Sequence, residues 1–114
     1  MAVAIEHDAL RDVAGAEQAL AAQRLHTLQI DVPPVQNTAH WHSFDAEFYV
    51  LAGHLTLTDV ENQVVHDCPA GTRVVVPART LHAESSTGGY TIVLGTSVPP
   101  AEFGDPVDRP PETL

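Results

Sequence analysis

Residues 40–53 read HWHSFDAEFYVLAG, and residues 71–82 read GTRVVVPARTLH. In the first stretch one residue separates His40 from His42. Side chains on a strand alternate between its faces, so both imidazoles point the same way. Two nitrogens so placed can grip one metal ion at about 2.1 Å each. His82 lies forty residues beyond His42 and opens another short run, LHAES. If the two strands lie side by side, a third nitrogen completes a facial set with open positions for water or substrate. His7, His26 and His66 lack such company and read as ordinary polar residues, and His54, straight after Gly53, reads as a surface turn residue.

Outward from these stretches the chain is a series of short strands. LHTLQIDV (25–32) alternates and is ended by Pro33 and Pro34, which cannot donate to a ladder. AEFYVLAG (46–53) stops at Gly53, and HLTLTDV (54–60) places Leu55 and Leu57 on one face. QVVH (63–66), TRVVVP (72–77), LHAES (81–85) and YTIVLGTSV (90–98) follow, set apart by turn residues. Seven short strands without interleaved helices predict an all-β antiparallel sandwich or barrel. Before them, residues 8–24 are rich in good helix formers, with Gly15 in the middle, and predict one broken helix or two short ones. After them, residues 98–114 hold five prolines and four acids and read as an extended arm or frayed tail.

The chain is one domain's worth, 114 residues with 44% apolar composition, and can hide one core and one internal pocket. Fifteen acids against five arginines, with no lysine, give a net charge of −10. That balance argues against binding a nucleic-acid backbone or an anionic membrane surface. No apolar run approaches the ~20 residues of a membrane span, and the acidic N-terminus does not read as a signal peptide. A single cysteine, Cys68, forms no intrachain disulfide and fits a reducing compartment, so a cytoplasmic protein is expected. Beside Asp67, it reads as a structural thiol and not a nucleophile.

HWHSFDAEFYVLAG resembles the first cupin motif: two histidines one residue apart, three or four residues, Glu, six residues, Gly. GTRVVVPARTLH resembles the second, with Gly71, Pro77 and His82 in register, and seventeen residues separate Gly53 from Gly71 as in small bacterial cupins. The resemblance covers residues 24–97 and implies a jelly-roll β-barrel, with 1–23 as an N-terminal helical segment and 98–114 as a Pro-rich tail. It implies His40, His42 and His82 as ligands of a divalent transition metal. Imidazole suits Fe, Zn, Ni, Cu and Co, so the metal is left open.

The chain departs from the family pattern twice. Counting back from Gly53 places the family's metal-binding glutamate at Ala46, which cannot ligate. Counting forward from His42 reaches Glu47, a fourth ligand only if a bulge turns it inward; in a regular strand Asp45 and Glu47 are solvated charges on the opposite face. Three neutral imidazoles alone leave a divalent ion's full +2 charge, which favours an anionic, chelating substrate. The second departure is Arg79 where the family has Gly. An arginine adopts φ > 0 only at a cost, so the turn before His82 is expected to differ, with Arg79 a candidate substrate-binding cation at the pocket mouth.

Phe48 and Val50 share the parity of position 46 and are expected to line the interior. Tyr49 and Leu51 face the other layer, and Tyr90 is either core or a pocket donor. Trp41 is expected against the N-terminal segment or a second subunit. The apolar faces of TRVVVP, with Trp41 and Tyr49, predict a homodimer. The functional expectation is a metal-binding oxidoreductase acting on a small organic molecule, dioxygenase-like first and isomerase or lyase second. The competing class is a non-catalytic small-molecule-binding or sensing module.

Overall fold

A computed structural model describes residues 2–114. In chain order it contains β1 (Ala4–Glu6), α1 (Val13–Ala21), β2 (His26–Val32), β3 (Val35–Gln36), β4 (Ala46–Asp59), β5 (Val64–Pro69), β6 (Arg73–Val76), β7 (His82–Ser86) and β8 (Tyr90–Thr96). Two short 3-10 turns follow, Pro100–Glu102 and Pro111–Thr113. All strand pairs are antiparallel, and the strands form an eight-stranded jelly roll, the fold that the resemblance implies.

The architecture turns on β4, which the sequence pattern divides into two strands. Its first half lies between β6 and β8, in the order β1-β6-β4-β8-β2. Its second half lies between β7 and β5, in the order β3-β7-β4-β5. The hand-over is a bulge: Val50 opposes Ile92 and Ala52 opposes Thr91, which leaves Leu51 as an extra residue. The insertion inverts side-chain parity. Ala46, Phe48 and Val50 face the interior before it, and Leu55 and Leu57 do so after it. Gly53 then takes φ +78° against the β8 turn, where a Cβ would collide with the Gly89 carbonyl oxygen.

The interior between the two sheet faces is filled by Phe48, Val50, Leu55, Leu57, Val74 and Ile92 with their neighbours. A second cluster covers the outer side of the first sheet, where Ala16 and Leu20 of α1 pack on Tyr49 and Val93. Tyr49 thus faces a second layer, and that layer belongs to the same chain. The N-terminal segment holds one helix and not two, and its first residues are the strand β1, paired with β6 through Ile5 and Val74. Gly15 sits in the first turn of α1, where the Asp12 carboxylate accepts its N–H at 2.8 Å. A Cβ there would lie 2.8 Å from that carboxylate, so the glycine admits the cap and does not break the helix. Among the described residues no helix is long and apolar enough to cross a membrane.

The C-terminal arm is docked, contrary to the frayed tail expected from its prolines. Trp41 and Arg109 exchange two backbone hydrogen bonds, and the Trp41 indole N–H donates to the Pro110 carbonyl at 2.9 Å. Phe103 stacks on Phe44 with ring centroids 4.4 Å apart. Trp41 is therefore covered by the chain's own arm and not by the N-terminal segment. The guanidinium carbons of Arg79 and Arg109 each lie 5.2 Å from its ring centroid. The aromatic surface from which a homodimer was inferred is filled internally, by the arm at Trp41 and by α1 at Tyr49.

Candidate metal centre

His82 is the first residue of β7 and faces inward; its backbone exchanges hydrogen bonds with His40 at 2.8 and 2.9 Å. That bridge sets the loop carrying His40 and His42 beside β7. One nitrogen from each of His40, His42 and His82 lies within 4.8 Å of the others, close enough for one ion to draw them together. His40 and His82 are buried, and His42 is partly exposed.

The ring orientation favours metal binding. His40 Nδ1–H donates to the Thr38 carbonyl at 2.7 Å, and His82 Nδ1–H to the Thr80 carbonyl at 2.8 Å. His42 Nδ1–H donates to the Val107 carbonyl at 3.0 Å. A carbonyl oxygen only accepts, so each Nδ1 carries the proton. In its neutral form each ring then presents the lone pair of Nε2, as metal-bound histidines do when their other N–H is held by a carbonyl. The donor set therefore fits a divalent transition ion.

A carboxylate stands at the same place, but it is not Glu47. Glu47 Oε2 accepts from Arg73 Nε at 2.9 Å and Gln23 Nε2 at 2.8 Å, on the outer face of β4. The β4 bulge lies later, at Leu51, and does not turn Glu47 inward, so the expected fourth ligand points away from the histidines. Ala46 does line the cavity. The acid near the histidines is Glu84, two residues after His82 on β7. Its Oε1 lies 3.2 Å from His40 Nε2 and 3.8 Å from His82 Nε2. Its Oε2 accepts from the Tyr90 hydroxyl at 2.9 Å. The parity rule that pairs His40 with His42 also pairs His82 with Glu84, so the sequence contained this signal.

Charges in the cluster are mutually adjusted. Burial, reinforced by the two neighbouring imidazoles, lowers the His82 pKa and keeps its ring neutral. Burial also opposes charge on His40, but Glu84, the Thr38 carbonyl and Asp108 outweigh it and raise its pKa. Burial pushes Glu84 up, while His40, His82 and the Tyr90 hydroxyl pull it further down, so it stays ionised. Burial and the Glu84 charge hold Tyr90 protonated as a donor. Asp108 of the arm approaches His42 Nδ1 at 3.6 Å and His40 Nε2 at 3.9 Å, but its side chain is largely exposed.

Beside His42 and His82 lies a cavity of about 310 Å³, which His40 does not line. Ile30, Val32, Phe48, Leu57, Ile92 and Phe103 make most of its wall apolar. Of the sequence-derived substrate-binding candidates, Phe48 and Tyr90 line it. Val50 is packed in the core beside it, and Arg79 is absent from the lining. The turn before His82 keeps the left-handed geometry expected of glycine, with Arg79 itself at φ +66°. Its N–H donates to the His42 carbonyl at 2.8 Å and its guanidinium lies over Trp41, contacts that offset the backbone cost. Cys68 is buried in the core, and burial beside Asp67 pushes its thiol up to about 11.

The sequence model of the family described as Cupin domain matches residues 28–94. No curated protein matches the chain. Several solved structures share the fold, among them these three. Protein NMB1881 from Neisseria meningitidis has a TM-score of 0.53 at 18% identity, over 70% of this chain and 93% of its own. A DUF861 family protein from Thermotoga maritima has a TM-score of 0.52 at 15% identity, over 81% and 96%. The WlaRB TDP-quinovose 3,4-ketoisomerase from Campylobacter jejuni has a TM-score of 0.52 at 14% identity, over 68% and 66%. With the family match spanning more than half of its length, and His40, His42 and His82 all among the matched residues, this chain belongs to the cupin family.

Proposed function

We propose that the chain is a metal-dependent cupin enzyme whose centre is held by His40, His42 and His82. Its substrate is a small molecule with an apolar body and one anionic or chelating oxygen-bearing head, and the first reaction class is oxidation by dioxygen. The observation that carries this reading is the anchoring of all three Nδ1–H groups on backbone carbonyls, which leaves Nε2 as the donor of each ring, in a cluster where one nitrogen of each histidine lies within 4.8 Å of the others. A divalent ion there supplies Lewis acidity and, if redox-active, electron transfer to dioxygen. Three ligands on one side leave adjacent positions open for two reactants.

The cavity wall supports the substrate class. Among the described residues no arginine lines it, and its charged groups are Glu84 and Asp108, both acidic, beside the histidines. An anionic head therefore has one favourable place, at the metal, while the apolar wall takes the rest. The same wall disfavours a nucleotide sugar like that of the ketoisomerase neighbour, because it offers no cation to a diphosphate. Metal-assisted isomerisation or elimination is the second reading, favoured by the Tyr90 hydroxyl, a proton donor held by Glu84 in the cavity wall.

Protein purified without an affinity tag, analysed for metal and then loaded, tests the reading in an oxygen electrode with short carboxylic acids and β-diketones bearing apolar substituents. Metal-dependent oxygen uptake with at least one of them is the expected result. Conversion without oxygen uptake selects the second reading. Binding of a candidate by loaded protein without conversion of any overturns both in favour of a non-catalytic binding module.

A further inference from the structure

We infer that Glu84 is the carboxylate ligand of this centre, moved from the first motif strand to β7, with Tyr90 and Asn37 as its positioning residues. The inference rests on the metal reading above and extends it. An ion about 2.1 Å from each donor sets neighbouring donor atoms roughly 3.0–3.4 Å apart in octahedral or tetrahedral geometry. Glu84 Oε1 already stands 3.2 Å from His40 Nε2 and 3.8 Å from His82 Nε2. It therefore stands at neighbouring-ligand distance from His40 and a few tenths of an ångström beyond it from His82, on the Nε2 side of both rings and not behind a ring Nδ1.

The surroundings hold that oxygen in place. Tyr90 OH donates to the other oxygen, Oε2, at 2.9 Å, which leaves Oε1 turned toward the histidines, paired with His40 Nε2 at 3.2 Å, and favours one-oxygen ligation. Asn37 brackets the backbone: its Oδ1 accepts the Glu84 N–H at 2.7 Å, and its own N–H donates to the Glu84 carbonyl at 3.0 Å. Among the described residues no other acid competes. Glu47 is tied to Arg73 and Gln23 on the outer face, Ala46 has no donor, and Asp108 lies nearer to a proton-bearing Nδ1 on an exposed arm. The ion's charge is then +1 and not the +2 left by three imidazoles alone. The centre keeps the charge balance of three histidines and one glutamate although position 46 is alanine.

Cobalt(II) is the probe, because its visible absorption reports donor set and coordination number independently of activity. Chelator-stripped parent, Glu84→Gln, Glu84→Asp, Tyr90→Phe and the control Glu47→Gln are titrated by calorimetry and absorption. Loss of the ligand is expected to weaken cobalt binding about tenfold or more and to change the visible spectrum in Glu84→Gln. Glu84→Asp, which keeps the charge beside His40 but withdraws it by one methylene, is expected to lose affinity as well, and it carries the test if the amide variant does not fold. Tyr90→Phe should show a smaller loss, and Glu47→Gln none. Parent affinity and spectrum in Glu84→Gln or Glu84→Asp, while His82→Ala loses binding, would overturn the inference and leave the three-histidine centre standing. No cobalt binding by the parent would overturn both.

Discussion

Deleting Leu51 tests the step on which the barrel depends. Leu51 is the extra residue of the β4 bulge, and without it every downstream residue moves to the opposite face. Leu55 and Leu57, both at 0% exposure, would turn outward. At about 1.5–3 kcal/mol for each buried leucine, their loss amounts to roughly 3–6 kcal/mol. Thr56 and Thr58 would take their places, and each inward hydroxyl without a partner costs about 1–3 kcal/mol more. Asp59 would lose the Val3 N–H that it accepts at 3.0 Å. The sum approaches the whole stability of a small domain, about 5–15 kcal/mol. The deletion variant should therefore show no cooperative melt by circular dichroism, while Leu51→Ala, which keeps the bulge, should melt within several degrees of the parent. A deletion variant melting close to the parent would refute the reasoning, because β4 would then have absorbed the loss without inverting its faces.

The docked arm and the remaining surface groups carry further expectations. Truncation after Ser97 removes the Val107 carbonyl that orients His42, so divalent-metal affinity by calorimetry should fall roughly tenfold, with a red shift of Trp41 emission. Cys68, with its thiol pushed up to about 11, should resist a disulfide reagent at pH 8 in the native protein and react fully in denaturant. We also propose a homodimer, through the outer edge of β2, which among the described residues pairs with β8 alone and exposes Leu28. Light scattering should give twice 12.2 kDa, and a mass of 12.2 kDa at micromolar concentration would show that the chain leaves this edge to solvent.

The motif strands were legible because strand periodicity and metal geometry act locally. On a strand, histidines one residue apart share a face; the structure instead puts His40 and His42 in the loop before β4, and the backbone bridge between His40 and His82 gathers them with the third. The inward parity of Ala46 and Phe48 followed from the same rule. What the pattern could not carry was tertiary. AEFYVLAG and HLTLTDV looked like two strands because the bulge at Leu51 breaks the alternation, although the ladder to β8 continues through it. The prolines of residues 98–114 exclude a regular ladder but say nothing of docking, which depends on Trp41, Phe44 and their distant partners. Arg79 adopts the conformation expected of glycine because Trp41 and the His42 carbonyl hold it, contacts that propensity alone does not encode. Glu84 was readable from its spacing to His82 but was obscured by the family position at Ala46.

Metal content tests the central claim most directly. The parent and the variants His40→Ala, His42→Ala, His82→Ala and His66→Ala are purified without an affinity tag and equilibrated with one divalent ion. Bound metal per chain is then read by elemental analysis, with folding checked by circular dichroism. One equivalent in the parent and in His66→Ala, with at least about a tenfold loss of affinity in each of the other three, is the predicted result. Equal metal content in folded His82→Ala and the parent would contradict the account, because the ion would then be held somewhere other than the point where these three rings converge.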